Sequence, residues 1–315
     1  MTITILIKTY RRPKDLARCL ESLKSQVRLP DEVVVVVRDT DTETQNLLAD
    51  IDPEPLRLRM VTVNEPGTVA ALNTGLDASE GDIVAFTDDD AVPWPDWLAR
   101  IEEHFQRDPE LGGVGGRDWI RCGEQVNDGS CEVVGKIQWF GRIIANHHLG
   151  VGESREVDVL KGVNMSYRRE AFRGVRFDER LIGSGGVQRD EDYLFCVTVK
   201  RMGWKLIYEP TVAVDHYQTP RPDGDYRPAE EDRSRFSAAA VSDRVHNRTL
   251  MLLEHFSTPR QVVFLLWSVL VGSRDAFGVV QCLRFLPDQG TLAREKLLAS
   301  LNGRLKGWRT WRRGG

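Results

Sequence analysis

Three short stretches of this chain bring together side chains that can do chemistry. The first is Asp88, Asp89 and Asp90, which close the apolar run of residues 83–86 and are followed by Ala91-Val-Pro-Trp-Pro. The run reads as a strand buried on both faces, and the prolines beyond it forbid continuation. Adjacent carboxylates repel unless water screens them or a cation bridges them. At the carboxyl end of a strand in an open α/β sheet, such hard oxygen donors suit Mg²⁺ or Mn²⁺ carried by a diphosphate. A solvated acidic loop tip is the plainer reading. The second stretch, Asp190-Glu191-Asp192, opens a predicted helix, where the macrodipole stabilises acidic side chains whatever else they do. The third is His216, just beyond a predicted strand. The His147-His148 pair reads as polar surface, with metal ligation the lesser alternative.

Positioning such groups requires a scaffold, and 315 residues suffice for a substantial core. A hydrophobic fraction of 41% and a charged fraction of 29% are those of an ordinary folded soluble protein. A net charge of -4 gives no reason to expect nucleic acid as a partner. The five cysteines lack metal-ligand spacing and read as reduced thiols, with Cys122 and Cys131 the one pair that could meet across a hairpin. The first residues lack the pattern of a signal peptide, and no apolar run spans a bilayer. The expectation is therefore a cytoplasmic protein.

Strands are predicted at residues 2–7, 32–37, 58–63 and 83–86, alternating with helices at 13–26, 42–48 and 68–78. This alternation predicts a mostly parallel sheet with helices on both faces. No Gly-x-Gly-x-x-Gly follows the first strand, which disfavours dinucleotide binding. A helix is expected over 97–105 and a glycine-rich strand or turn over 112–117. Residues 119–156 read as a loop-rich insert. Regular structure is expected to return at 157–160 and 162–167, followed by a short helix at 169–172 and strands at 205–209 and 212–214. Residues 183–186 read as a mobile loop. The helix opened by Asp190 runs to Met202, with Gly203 as its stop. Residues 220–233, rich in proline and charge, read as a linker. Helices are predicted beyond it at 234–256, 259–272 and 291–305.

In their order along the chain these residues resemble the family-2 glycosyltransferases, inverting enzymes of the GT-A fold, over about residues 2–217. The resemblance rests on Thr9-Tyr10-Arg11, Asp39, Asn73 with Gly75, and Phe86-Thr-Asp-Asp-Asp-Ala-Val-Pro. It continues through Gly162-Val-Asn-Met-Ser-Tyr, Glu191-Asp192 eleven residues before Gly203-Trp204, and His216. It implies an α/β GT-A domain over 1–220 with a linker and helical extension over 221–315. It implies transfer of a sugar from a metal-bound nucleoside diphosphate, UDP foremost, to a hydroxyl of a sugar, a lipid-linked sugar or another acceptor.

The implied roles follow residue by residue. Thr9, Tyr10, Arg11, Asp39, Asn73, Asp88 and Asp89 would line the nucleotide pocket. Asp90 and His216 would hold the Mn²⁺ or Mg²⁺, and Asp192, with Glu191 beside it, would be the base. Gly162, Asn164 and Trp94 would face sugar or acceptor. Leu72 stands where the family often has a basic residue, so that diphosphate contact is either missing or supplied by Arg11.

A nucleotidyltransferase would need a glycine-rich loop after the first strand, where Lys8-Thr-Tyr-Arg-Arg stands instead. A binding module could keep the fold without Asp192. The sequence fixes no oligomeric state. Residues 262–267 are apolar all round any helix, which must then bury itself on the domain, a subunit or a membrane. The basic tail with Trp308 and Trp311 points to peripheral contact with the cytoplasmic face of a membrane.

Overall fold

The computed structural model describes residues 1–123, 125–183, 188–218 and 236–314. The expected linker at 220–233, the boundary at 220, and all but the first residue of the 183–186 loop lie outside these residues.

The strands are β1 (Ile3–Thr9), β2 (Glu32–Arg38), β3 (Leu58–Val63), β4 (Ile83–Asp88), β5 (Ala91–Pro93), β6 (Leu111–Cys122), β7 (Gln125–Val126), β8 (Lys136–Ile137), β9 (Ile143–Ile144), β10 (Arg155–Glu156), β11 (Asn164–Arg168) and β12 (Lys205–His216). The helices are α1 (Pro13–Lys24), α2 (Thr42–Asp50), α3 (Thr68–Ala78), α4 (Trp97–Arg107), α5 (Glu191–Arg201), α6 (Ala238–His255), α7 (Thr258–Leu270), α8 (Val279–Gln289) and α9 (Thr291–Gly314).

The main sheet runs β10-β12-β6-β11-β4-β1-β2-β3. Neighbours from β4 through β3 are parallel, β11 lies antiparallel between β4 and β6, and β12 is again parallel to β6. Because β11 alone reverses in that stretch, the carboxyl ends of β1, β2, β4, β6 and β12 share one edge of the sheet. The amino end of β11 opens onto the same edge.

Alternation along the buried strands feeds two cores. Ile3, Ile5, Ile7, Val33, Val35 and Val37 meet α1 and α4, with Leu16, Leu20, Trp97 and Ile101. Leu6, Val34, Val36, Val84 and Phe86 face the other way, toward Leu72 of α3, Phe195 of α5, Leu250 and Leu253 of α6 and Phe264 of α7. The C-terminal helices thus share a core with the sheet.

Several expectations change. The glycine-rich stretch opens β6, a twelve-residue strand. Gly116 is needed there because a Cβ would collide with the carbonyl of Val212. The two strands expected at 205–214 are one, β12, with a register shift between Glu209 and Val214 around Pro210. Residues 157–160 form no strand; Val157, Val159 and Leu160 are buried core residues. The short helix at Arg169–Phe172 is a 3₁₀ turn. The insert finishes β6 and then builds the β8–β9 hairpin. Cys131 is a free thiol that accepts from Asn146. His147 is buried, bonded to the carbonyl of Val159, and burial lowers its pKa to about 4, so it is a core residue. α8 escapes sequence reading because Pro287 lies inside it.

α9 lies along α6, and Trp308 and Trp311 pack against the main core instead of projecting outward. α7 buries only part of its surface: Phe264 and Ser268 are covered, whereas Val262, Leu266, Val269 and Leu270 are exposed.

Candidate active site

β1, β4, β12 and the amino end of α5 bring most of the predicted site residues to the carboxyl edge of the sheet. Lys8 and Asp88 are partners across β1 and β4, and their side chains form a close ion pair. Arg12, at the start of α1, binds the two other carboxylates. Its Nε lies 3.1 Å from Asp89 Oδ2 and its Nη1 2.8 Å from Asp90 Oδ2. Two cations therefore offset three anions in a largely dry site, which is how buried charge is tolerated. Against the upward push of burial, the Lys8 ammonium holds the Asp88 carboxyl below the usual range. Burial raises Asp89 in spite of the Arg12 guanidinium. Lys8 and Arg12 were passed over in the sequence; Arg11 instead takes a left-handed φ of 53° and lies over the Tyr10 ring at 5.1 Å.

β12 places His216 opposite Ala91 of β5 and Ile120 of β6. Its Nε2 is 3.5 Å from Asp90 Oδ1 and its Nδ1 is 3.4 Å from Asp118 Oδ2. Asp118 is buried and also pairs with Lys161. Against the lowering effect of burial, Asp118 and Asp90 raise His216 to about 9. Ligand atoms of Asp88, Asp90 and His216 all lie within 4.8 Å of one another. Two carboxylates and one imidazole on an open edge fit a hard divalent cation that keeps sites for phosphate oxygens. Asp118 behind the imidazole is the usual partner that orients a metal-binding histidine.

The acidic run at α5 separates into three fates. Asp190 has a left-handed φ of 62° and pairs with Arg248 of α6. Asp192 Oδ2 accepts from the Gly162 N–H at 2.9 Å, and its Oδ1 accepts from the Tyr193 N–H at 2.8 Å. Burial raises the carboxyls of both Asp192 and Glu191, and repulsion within the acidic run adds to it. A carboxylate above its ordinary range is better matched to proton abstraction near neutrality. The neighbours Lys161 and Gly162 join the halves of the site, one reaching Asp118 and the other Asp192.

The remaining candidates divide. Thr9 is buried at the end of β1 near Asp89, and Asp39 lies exposed at the end of β2, paired with Arg38. Both amide ends of Asn73 are spent on the backbone of Phe177, at 2.9 and 3.0 Å. Asn164 is likewise committed, accepting from Trp97 Nε1 and donating to the carbonyls of Val212 and Arg117. Both amides thus brace the scaffold behind the site. Trp94 is partly exposed and stacks on Trp119 at 6.2 Å and 7°. Asp118, Lys161 and Arg248 were not singled out in the sequence, where an isolated charged residue outside a motif carries no signal.

A mostly parallel sheet whose carboxyl edge gathers an acidic triplet, a histidine and a buried carboxylate has the architecture of the GT-A glycosyltransferases. Solved structures share the fold. A mannosyltransferase from Pyrobaculum calidifontis, in complex with GDP-Man and Mn²⁺, superposes with a TM-score of 0.57 at 19% identity over 98% of this chain and 82% of that one. S. aureus TarS 1-349 with UDP-GlcNAc gives 0.59 at 16% identity over 100% of this chain and 92% of that one. The sequence profile described as Glycosyl transferase family 2 matches residues 4–176. The chain belongs to this family and is a glycosyltransferase. Glucosyl-dolichyl phosphate glucuronosyltransferase of Haloferax volcanii is 26% identical over 69% of each chain. The succinoglycan biosynthesis protein ExoM of Rhizobium meliloti is 36% identical over 32% of this chain and 34% of its own.

Proposed function

We propose that the protein is an inverting glycosyltransferase that uses a nucleoside-diphosphate sugar, UDP-linked foremost, and a divalent cation held by Asp88, Asp90 and His216. The reading is carried by one observation: a raised, backbone-anchored carboxylate, Asp192, shares a sheet edge with that ligand cluster. Asp88, Asp90 and His216 would hold Mn²⁺ or Mg²⁺, which would supply Lewis-acid neutralisation of the charge on the leaving diphosphate. Asp192 takes the proton of the acceptor hydroxyl, and the Gly162 N–H keeps its carboxylate oriented. Attack from the face opposite the diphosphate inverts the anomeric centre. Lys8 and Arg12 hold the acidic triplet in place and add positive potential toward phosphate oxygens.

Residues 1–220 then make up the donor-binding catalytic unit, with the C-terminal helices bracing it. The acceptor is a hydroxyl of a glycan or of a lipid-linked sugar, in keeping with the names of the Haloferax and Rhizobium relatives, a glucosyl-dolichyl phosphate glucuronosyltransferase and a succinoglycan biosynthesis protein. A panel of nucleotide sugars screened by thermal shift with and without Mn²⁺ identifies the donor, because a ligand that binds the folded state stabilises it by mass action. NMR of the product then reads the anomeric configuration. Retention of configuration, or stabilisation by no nucleotide sugar with the metal, overturns the reading.

A further inference from the structure

α7 turns toward the core with Phe264 and Ser268 and outward with Val262, Leu266, Val269 and Leu270. Spacings of four, three and one place these four on one helical face. They are 52%, 57%, 37% and 55% exposed. α8 adds Val279, Val280 and Leu283, the last 63% exposed. No acidic residue occurs from Thr258 to Arg274. An exposed aliphatic face of this kind needs an occupant.

Two neighbouring features point to its chemistry. The β8–β9 hairpin lies against α7: Phe140 meets the Trp267 ring at 4.9 Å, and Arg260 Nε donates to the carbonyl of Trp139 at 3.2 Å. Trp139 is 58% exposed beside the amino end of α7. α9 runs in the same direction as α6, since Gly303 packs closely on Ser242 and Val245 and Gly307 on His246 and Thr249. It therefore carries the exposed Lys306, Arg309, Arg312 and Arg313 toward the carboxyl end of α6, where α7 begins. Among the described residues these four cations form no ion pair with a carboxylate.

We infer that the outer face of α7, with the exposed residues of α8 and Trp139, is a docking surface for an anionic bilayer. Aliphatic side chains enter the headgroup boundary, the indole lies at the interface, and the basic end of α9 meets lipid phosphate. A second copy of the chain fits less well, because two uncharged faces with basic ends would meet without an acidic patch to receive either.

The test is sedimentation of the full chain with phosphatidylcholine vesicles and with mixed phosphatidylcholine/phosphatidylglycerol vesicles. We expect binding to the mixed vesicles that weakens with salt, and little binding to the neutral ones. Leu266→Glu with Leu270→Glu should lower partitioning at least about tenfold, since two aliphatic contacts are exchanged for charge. Arg309→Glu with Arg312→Glu and Arg313→Glu should remove the salt dependence. Circular dichroism confirms that each variant is folded, and the two variant sets alter separate helices, so loss of one set leaves the other informative. Wild-type protein left in the supernatant with both vesicles overturns the inference, as does undiminished binding of both folded variants. Light scattering that shows a dimer abolished by the Leu266 and Leu270 changes, with no vesicle binding, assigns the face to a second copy instead.

Discussion

Arg248 of α6 holds Asp190 through two hydrogen bonds, Nε to Oδ2 at 2.9 Å and Nη2 to Oδ1 at 3.3 Å. The adjacent Asn247 donates to the carbonyls of Ile182 and Arg189 and accepts from the Ile182 N–H. Two consecutive residues of one helix thus grip both ends of the segment that leads into Glu191 and Asp192. A non-glycine residue at a left-handed φ, as Asp190 is, persists when its surroundings enforce it. The contact also removes Asp190 from contention as the base, since its carboxylate is committed to Arg248. α6 lies beyond the residues matched by the family profile, yet it sets the position of the acidic run.

Arg248→Ala should therefore cost both stability and turnover. Removing one partner from a fully buried pair costs roughly 3–5 kcal/mol. Arg248 is 24% exposed, so about 1–3 kcal/mol is the expected loss in chemical denaturation. Turnover should fall by about tenfold or more while donor affinity holds, because a misplaced base affects the chemical step. Arg248→Lys should recover part of both. Unchanged kcat in a destabilised Arg248→Ala variant would show that the grip is structural only.

Asp192→Asn should retain donor binding and lose about 10²–10⁴ in turnover, the usual contribution of a positioned base. Because burial raises Asp192, the acid limb of the kcat profile should lie above the ordinary aspartate range of about 3.9. An acid limb at or below that range, or near-normal turnover in Asp192→Asn, would move the role elsewhere.

Glu191 gives a stability prediction of opposite sign. Burial and its acidic neighbour raise its folded carboxyl, so ionisation costs more in the folded state than in the unfolded one. The stability tied to its protonated form is complete below about pH 4 and is lost as pH rises through the folded value. Glu191→Gln should thus be more stable than wild type at neutral pH, with the advantage fading toward pH ~4. Thermal midpoints measured across that interval decide it; a Glu191→Gln protein less stable at neutral pH contradicts the sign.

The strand–helix alternation was legible because buried valine and isoleucine runs and α3, predicted at its observed limits of Thr68–Ala78, obey local periodicity. The acidic triplet was legible for a similar reason, since three carboxylates ending an apolar strand have few structural explanations. What escaped depends on pairing across the fold. Asn73 and Asn164 look like ligand-binding amides in a motif, but only the tertiary structure reveals their bonds to Phe177, Trp97 and Val212. Two strands were expected at 205–209 and 212–214, whereas the single β12 runs through with a register shift that β6 accommodates through Gly116. The tail Trp308 and Trp311 appeared poised for a membrane until α9 was seen against the core.

The relation of His216 to Asp118 yields the last prediction. With both ring nitrogens near carboxylates, His216 is held protonated up to about 9, and a cation must displace that proton to bind. Mn²⁺ affinity should accordingly rise by up to about tenfold per pH unit below that value. Asp118→Asn replaces the anionic acceptor beside the imidazolium with a neutral amide, which lowers the pKa of His216 and flattens this dependence. It also releases the ring from its orientation, and loss of such a supporting carboxylate typically weakens metal binding by about 10–100-fold. At neutral pH the orientation loss should outweigh the easier deprotonation, so the variant binds Mn²⁺ more weakly with a shallower pH slope. Calorimetry or electron paramagnetic resonance of Mn²⁺ with the wild-type, Asp118→Asn and His216→Ala proteins reads both quantities without any turnover assay. If His216→Ala binds Mn²⁺ like wild type with the same pH slope, the imidazole is not a ligand and Asp118 serves only to pair with Lys161.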